Sequence, residues 1–136
     1  MIKVTYTELD GPSGPTLRLE AAGHAGYAPA GQDIVCAGAS ALMCALAGAL
    51  DTLGAQGVQR TLSAGHAAIA ADDRTDVRAA FTVAVTGLRQ LAEAYPGHVA
   101  EDSGRTPAQE EPNGSTVAGC CPAAVPGSGQ QRKKET

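Results

Sequence analysis

The sequence predicts a small α+β domain in which a mainly antiparallel sheet packs against two principal helices. Three observations lead there. Residues 2–9 and 17–21 alternate apolar and polar side chains on either side of a Gly-Pro-Ser-Gly-Pro turn, the pattern of a half-buried hairpin. An apolar segment opens at Asp33 and continues to about Gly54. A second segment, from about Asp76 to Tyr95, repeats apolar residues every three or four positions, as one face of an amphipathic helix does.

Taken in order, the first strand places Ile2, Val4 and Tyr6 on one face and Lys3, Thr5 and Thr7 on the other. After the turn at Gly11–Pro15, Leu17, Leu19 and Ala21 alternate with Arg18 and Glu20, and the hairpin leads directly into Gly23-His24. Asp33 suits a helix N-cap, because its carboxylate can accept from the Val35 or Cys36 N–H groups that have no partner inside the helix. Within that helix Cys36, Ser40, Met43, Cys44 and Ala47 follow one side, while Leu42, Leu46, Ala49, Leu50 and Leu53 make a second. A helix so apolar is expected between the sheet and either a second helix or a partner subunit, with Cys44 in the core. Val58–Ala64 and His66–Ala71 read as strands around an Ala64-Gly65 turn. Asp72, Asp73 and Asp76 gather near the positive end of the second helix. Its stripe is Val77, Ala80, Phe81, Ala84, Val85, Leu88, Leu91, Ala92 and Tyr95; Pro96-Gly97 stops it, and His98-Val99-Ala100 forms a short last strand. From Glu101 to Thr136 Pro, Gly, Ser, Gln and charge dominate without apolar periodicity, so residues 1–100 read as one domain and 101–136 as a disordered tail.

Composition narrows the function. The chain has 136 residues, 43% of them apolar and mostly Ala, Val and Leu, with one Phe and no Trp. Such side chains bury little area each, so the core is thin and a dimer interface would supplement it. A net charge of −4 argues against a general nucleic-acid binder, which needs a basic excess to neutralise phosphates. The N-terminus lacks the features of a signal peptide, and Gly38, Ser40, Gly48 and Asp51 interrupt the most apolar helix, so no membrane span and a cytoplasmic location are expected. The four cysteines are then reduced.

No cofactor or metal is expected. His24, His66 and His98 with Cys36 lack the paired spacing of zinc ligands, and Cys120-Cys121 are adjacent with no histidine nearby. Asp72 and Asp73 are explained by a helix start, Gly11 and Gly14 by a proline-containing turn, and Arg132-Lys133-Lys134 is too short to mark a nucleic-acid site.

The residues left with chemical promise are Cys36 and His24. A thiol in the first turn of a helix lies near the positive end of the dipole, which favours the thiolate. The dipole contributes roughly 0.3–1 kcal/mol and up to about 2, about the ~1.4 kcal/mol of one tenfold preference, and an ionised Asp33 opposes it, so an imidazolium partner is needed. His24 is the nearest histidine in sequence, and Gly23, Gly26 and Gly31 make the intervening loop pliant enough to fold back. Two other readings of the residues stay open: a redox or acyl-transfer thiol, which the missing C-x-x-C disfavours, and a structural Cys–His pair in a non-catalytic ribosome-assembly or peptide-binding module. Ser40, one turn after Cys36, either shapes a site or allows close packing.

The run Gly23-His24, then Gly31-Gln32-Asp33-Ile34-Val35-Cys36-Ala37-Gly38-Ala39-Ser40, resembles the signature of the ribosomal-processing cysteine protease family, Prp. Gly87-Leu88, Leu91-Ala92 and Tyr95-Pro96 are similar to its closing helix and exit, so the likeness spans about residues 1–100. Ala39 departs mildly, standing where relatives often carry a branched residue. The resemblance implies a cysteine endopeptidase that removes the N-terminal extension of the large-subunit ribosomal protein twenty-seven (bL27), cutting after an aromatic residue. It implies Cys36 as nucleophile, His24 as general base and a homodimer. Beside this, Asp33 is either the helix cap or the orienter of His24, with the cap favoured by position. The Cys36 and Ala37 N–H groups are candidate oxyanion donors, and the loop containing Gly26 and Gly31 is a candidate cover for the peptide.

Overall fold

The structure is a computed structural model that describes residues 1–12 and 14–102. Its elements are β1 (Ile2–Gly11), β2 (Gly14–Ala22), α1 (Ile34–Leu53), β3 (Gln59–Ser63), β4 (His66–Asp72), α2 (Thr75–Ala94) and β5 (Val99–Asp102). The strands form one sheet in the order β3-β4-β2-β1-β5. Three neighbouring pairs are antiparallel, and β5 lies parallel to β1. This is an α+β domain of one mixed sheet and two helices.

Alternation decides which face of the sheet is covered. Pairing sets Val4 opposite Ala21 and Tyr6 opposite Leu19, with Leu19 opposite Ile69, so the apolar sets of β1, β2 and β4 share one side. Leu17, Leu19, Ile69 and Val4 are almost wholly buried there. Both helices close over that side: α1 buries Val35, Ala39, Met43, Leu46, Ala47 and Leu50, and α2 buries Val77, Phe81, Ala84, Val85 and Leu88. Each larger side chain removed from water contributes about 1.5–3 kcal/mol. The helices touch closely where glycine permits, since a Cβ on Gly87 would fall 2.6 Å from the Leu42 side chain. The opposite side of the sheet carries Arg18, Glu20 and His66, with Arg18 and His66 both bonded to the Glu20 carboxylate at 3.0 and 2.9 Å.

Two arginines tie elements together at their ends. Arg60 on the edge strand β3 pairs with Asp51 near the end of α1 at 2.7 and 2.9 Å. Arg74, just before α2, donates to the Leu53 carbonyl at 2.7 Å, one of the α1 carbonyls that a helix end leaves without a partner.

Several expectations change. Cys44 is exposed, not in the core. The buried arc of α1 runs through Ala39, Met43, Leu46 and Ala47, and Cys44, one step of about 100° beyond Met43, falls on the solvent side with Ala37, Ser40, Ala41 and Ala45. By length and composition alone α1 is long and apolar enough to cross a membrane, which its glycine and serine interruptions were expected to prevent; in this fold its buried side packs on the sheet and α2. Glu101 and Asp102, assigned by composition to the tail, belong to β5, and Glu101 forms a two-armed pair with Arg89 at 3.0 Å. The remaining tail residues, including Cys120 and Cys121, lie outside the described residues.

Candidate active site

The site grows from the junction where β2 leaves the sheet. Gly23 adopts φ 100°, and a Cβ there would fall 2.4 Å from the Met1 carbonyl oxygen, so the residue is glycine on two independent grounds. Its N–H donates to the Gly65 carbonyl at 2.8 Å, which draws the end of β2 to the β3–β4 turn. His24 follows, and its ring lies against Gly65: a Cβ on that residue would come 2.7 Å from Nε2.

Ala25, next along, is buried, and its N–H donates to the Cys36 Sγ at 3.3 Å. The loop then crosses Tyr27 and Ala28 to Asp33, which is the N-cap of α1. One Asp33 oxygen accepts from the Val35 and Cys36 N–H groups, both at 3.0 Å. The other accepts from Tyr27 at 3.0 Å and Ala28 at 3.3 Å. A single carboxylate therefore caps the helix and closes the loop on it. The Cys36 N–H does most to hold the Asp33 carboxyl below the usual carboxylate range, against the opposing effect of burial. Among the described residues the Asp33 carboxylate makes no hydrogen bond to the His24 ring.

Cys36 and His24 open on the same cavity of about 710 Å³. Its apolar lining includes Ile2, Ala21, Ala39 and Met43, while Ser40 and His66 stand among its polar groups. Gly26 and Gly31 line it from the loop. Cys36 is half-buried and carries a free thiol. Among the described residues no hydrogen bond joins the His24 ring to Sγ, so the two side chains share a cleft without being paired in it.

The two N–H groups expected to receive an oxyanion are already engaged. Cys36 N–H donates to the Asp33 carboxylate, and Ala37 N–H donates to the Asp33 carbonyl at 3.0 Å as the first bond of the helix. The Asp33 cap takes the first and the ordinary backbone ladder of the helix takes the second. The Ala25 N–H is the backbone donor directed at the sulfur. Sequence reading missed that group, because a backbone donor on a loop leaves no mark in residue type.

Sequence reading weighed His98 only as a zinc ligand and as the start of the last strand, whereas the structure places it in the turn before β5. This side chain sits between α2 and β5, with Nδ1 2.8 Å from the Ala25 carbonyl and its ring edge-on to Tyr27 at 5.4 Å. Tyr27 meets Tyr95 in the same manner, also at 5.4 Å. The loop is thus clasped by the connection between α2 and β5. Among the described residues no three His, Cys, Asp or Glu side chains are grouped as a metal site.

A thiol at a capped helix start, facing a histidine across an open cleft, is the equipment of a cysteine hydrolase. The sequence matches the family model described as cysteine protease Prp over residues 1–100, and the chain belongs to that family of cysteine proteases. Among solved structures it is similar to the ribosomal processing protease Prp from S. aureus with a covalently linked product peptide, at TM-score 0.65 and 25% identity over 76% of this chain and 99% of that one. The same S. aureus protease with a substrate peptide gives 0.61 and 24%, over 76% and 99% of the two chains. A Streptococcus mutans protein gives 0.57 and 29%, over 76% and 93%. No curated protein sequence gives a significant match.

Proposed function

We propose that this chain is a ribosomal-processing endopeptidase that cuts the N-terminal extension from ribosomal protein bL27, using Cys36 as nucleophile and His24 as general base. The observation that carries the reading is the shared cavity: Cys36, at the capped start of α1, and His24, at the end of β2, both face it in a chain of the Prp family. The relative from S. aureus is described as a ribosomal processing protease bound to a product peptide, which supports a peptide substrate of the same kind here.

In the proposed reaction His24 takes the Cys36 proton and the thiolate attacks the scissile carbonyl carbon. The C–N bond then breaks with its electrons going to nitrogen, which receives the proton from His24, and water hydrolyses the remaining thioester. The Ala25 N–H, directed at Sγ before reaction, is the backbone donor assigned to the developing oxyanion. The His24 ring rests on Gly65, which holds the imidazole at the cavity that the thiol also lines, and the loop containing Gly26 and Gly31 closes over the peptide. A compartment that keeps thiols reduced, the cytoplasm, suits this chemistry. The exposed small-residue side of α1, Ala37, Ala41, Ala45 and Gly48, suits a second copy of the chain and supports a homodimer.

Incubation of wild type, Cys36→Ser and His24→Ala with full-length bL27 from the same host, followed by intact-mass measurement, tests the proposal. Loss of one defined N-terminal segment with wild type alone is expected. An unchanged mass with folded wild type, on a substrate that carries an extension, would refute it in favour of a different peptide substrate.

A further inference from the structure

We propose that His98 is a positioning residue for the Cys36 thiol, holding Ala25 so that the Ala25 N–H stays directed at Sγ. The inference rests on the reading of Cys36 as the nucleophile. Two hydrogen bonds meet on Ala25: its N–H donates to Sγ at 3.3 Å, and its carbonyl lies 2.8 Å from His98 Nδ1. A carbonyl only accepts, so Nδ1 carries the hydrogen. Ala25 is 2% exposed, which leaves little room for water to replace either partner.

His98 is itself held on three sides. Its N–H donates to the Tyr95 carbonyl at 3.1 Å, its carbonyl accepts from Ile2 at 2.9 Å, and its ring meets Tyr27 edge-on at an interplanar angle of 83°. The ring therefore transmits the position of the α2–β5 connection to the loop that faces the sulfur. A donor fixed before reaction favours the thiolate more than one that must reorient, because an ionised acceptor strengthens the bond and no rearrangement opposes it. Without the Nδ1 bond the Ala25 carbonyl is left buried and unsatisfied, and the residue can turn its N–H away from Sγ.

Two substitutions separate the bond from the ring. His98→Asn keeps a donor near the Nδ1 position and loses the ring; His98→Phe keeps an aromatic edge for Tyr27 and loses the donor. The readout is the rate of iodoacetamide alkylation at Cys36, resolved from the other cysteines by peptide mass mapping, between about pH 5.5 and 8.5 with no substrate present. His98→Phe is expected to slow Cys36 alkylation near neutral pH by about three- to tenfold, the effect of one ordinary hydrogen bond, with His98→Asn within about twofold of wild type and Cys44 unchanged throughout. A His98→Phe rate equal to wild type, or a His98→Asn rate as slow as His98→Phe, overturns the proposal. Should His98→Phe give no cooperative thermal transition, His98→Leu takes its place against His98→Asn under the same criteria. Alkylation requires no peptide cleavage. A chain that cuts no peptide yet shows this dependence on His98 removes the protease reading and leaves the positioning role standing.

Discussion

Substituting Gly65 by alanine displaces the proposed general base without removing any reacting group. Gly65 occupies φ 75°, where a side chain costs about 1–2 kcal/mol. The new methyl would also stand 2.7 Å from His24 Nε2, 3.2 Å from Cε1 and 3.4 Å from Cδ2. Ordinary contact begins at 3.4 Å, so the ring must withdraw by about 0.7 Å. The ring is exposed and can turn aside cheaply, so the clash is paid in position more than in stability. Misplacement on the order of 1 Å can lower a rate by roughly a hundredfold. Gly54→Ala is the control: φ is 63°, and nothing lies within 4 Å of its would-be Cβ. Both variants should lose stability by similar amounts, lowering the melting temperature by roughly 4–16 °C. Only Gly65→Ala should also lose kcat/KM on a peptide spanning the cleavage site, by roughly ten- to a hundredfold. If the two folded variants show the same kcat/KM, the contact with Gly65 does not set the working position of His24.

Phe81→Ala should cost about 3–5 kcal/mol in denaturant unfolding, because Phe81 is fully buried between α2 and the sheet; a loss below ~1 kcal/mol would mean that the core closes without it. Asp33→Ala should speed amide exchange at Tyr27, Ala28, Val35 and Cys36 together, with the β2 amides unaffected, and abolish cleavage; exchange confined to Val35 and Cys36 would show that the loop is not held by the carboxylate. Arg74 holds the Asp76 carboxyl down at about 2, against an ordinary 3.8. The unfolded chain therefore binds the proton first as pH falls, and this pair's contribution is full above about 3.8 and lost through about 2. Asp76→Asn should flatten the acid limb of stability in that window, and an acid limb identical to wild type would show that the pair contributes nothing.

What the sequence alone determined is what short-range physics controls. The β1–β2 hairpin was legible because alternation and the Gly-Pro turn lie within about twenty neighbouring residues, and α2 because Val77, Phe81, Ala84 and Leu88 recur at the helical period. The family was legible because the Gly-His and Asp-Ile-Val-Cys-Ala runs lie close together in the chain. The buried arc of α1 was not, because Ala, Cys and Gly surround it almost evenly and hydrophobicity alone cannot say where the sheet and α2 will touch; hence Cys44 lies outside. The Asp33 cap on the Val35 and Cys36 N–H groups was legible from its position before the apolar run, but residue types could not show that the donor at the sulfur comes from Ala25. The parallel pairing of β5 with β1 brings His98 to Ala25, and the β3–β4 turn brings Gly65 to His24. Those contacts join segments far apart in sequence, and their geometry follows from strand order and register, which only the folded sheet decides.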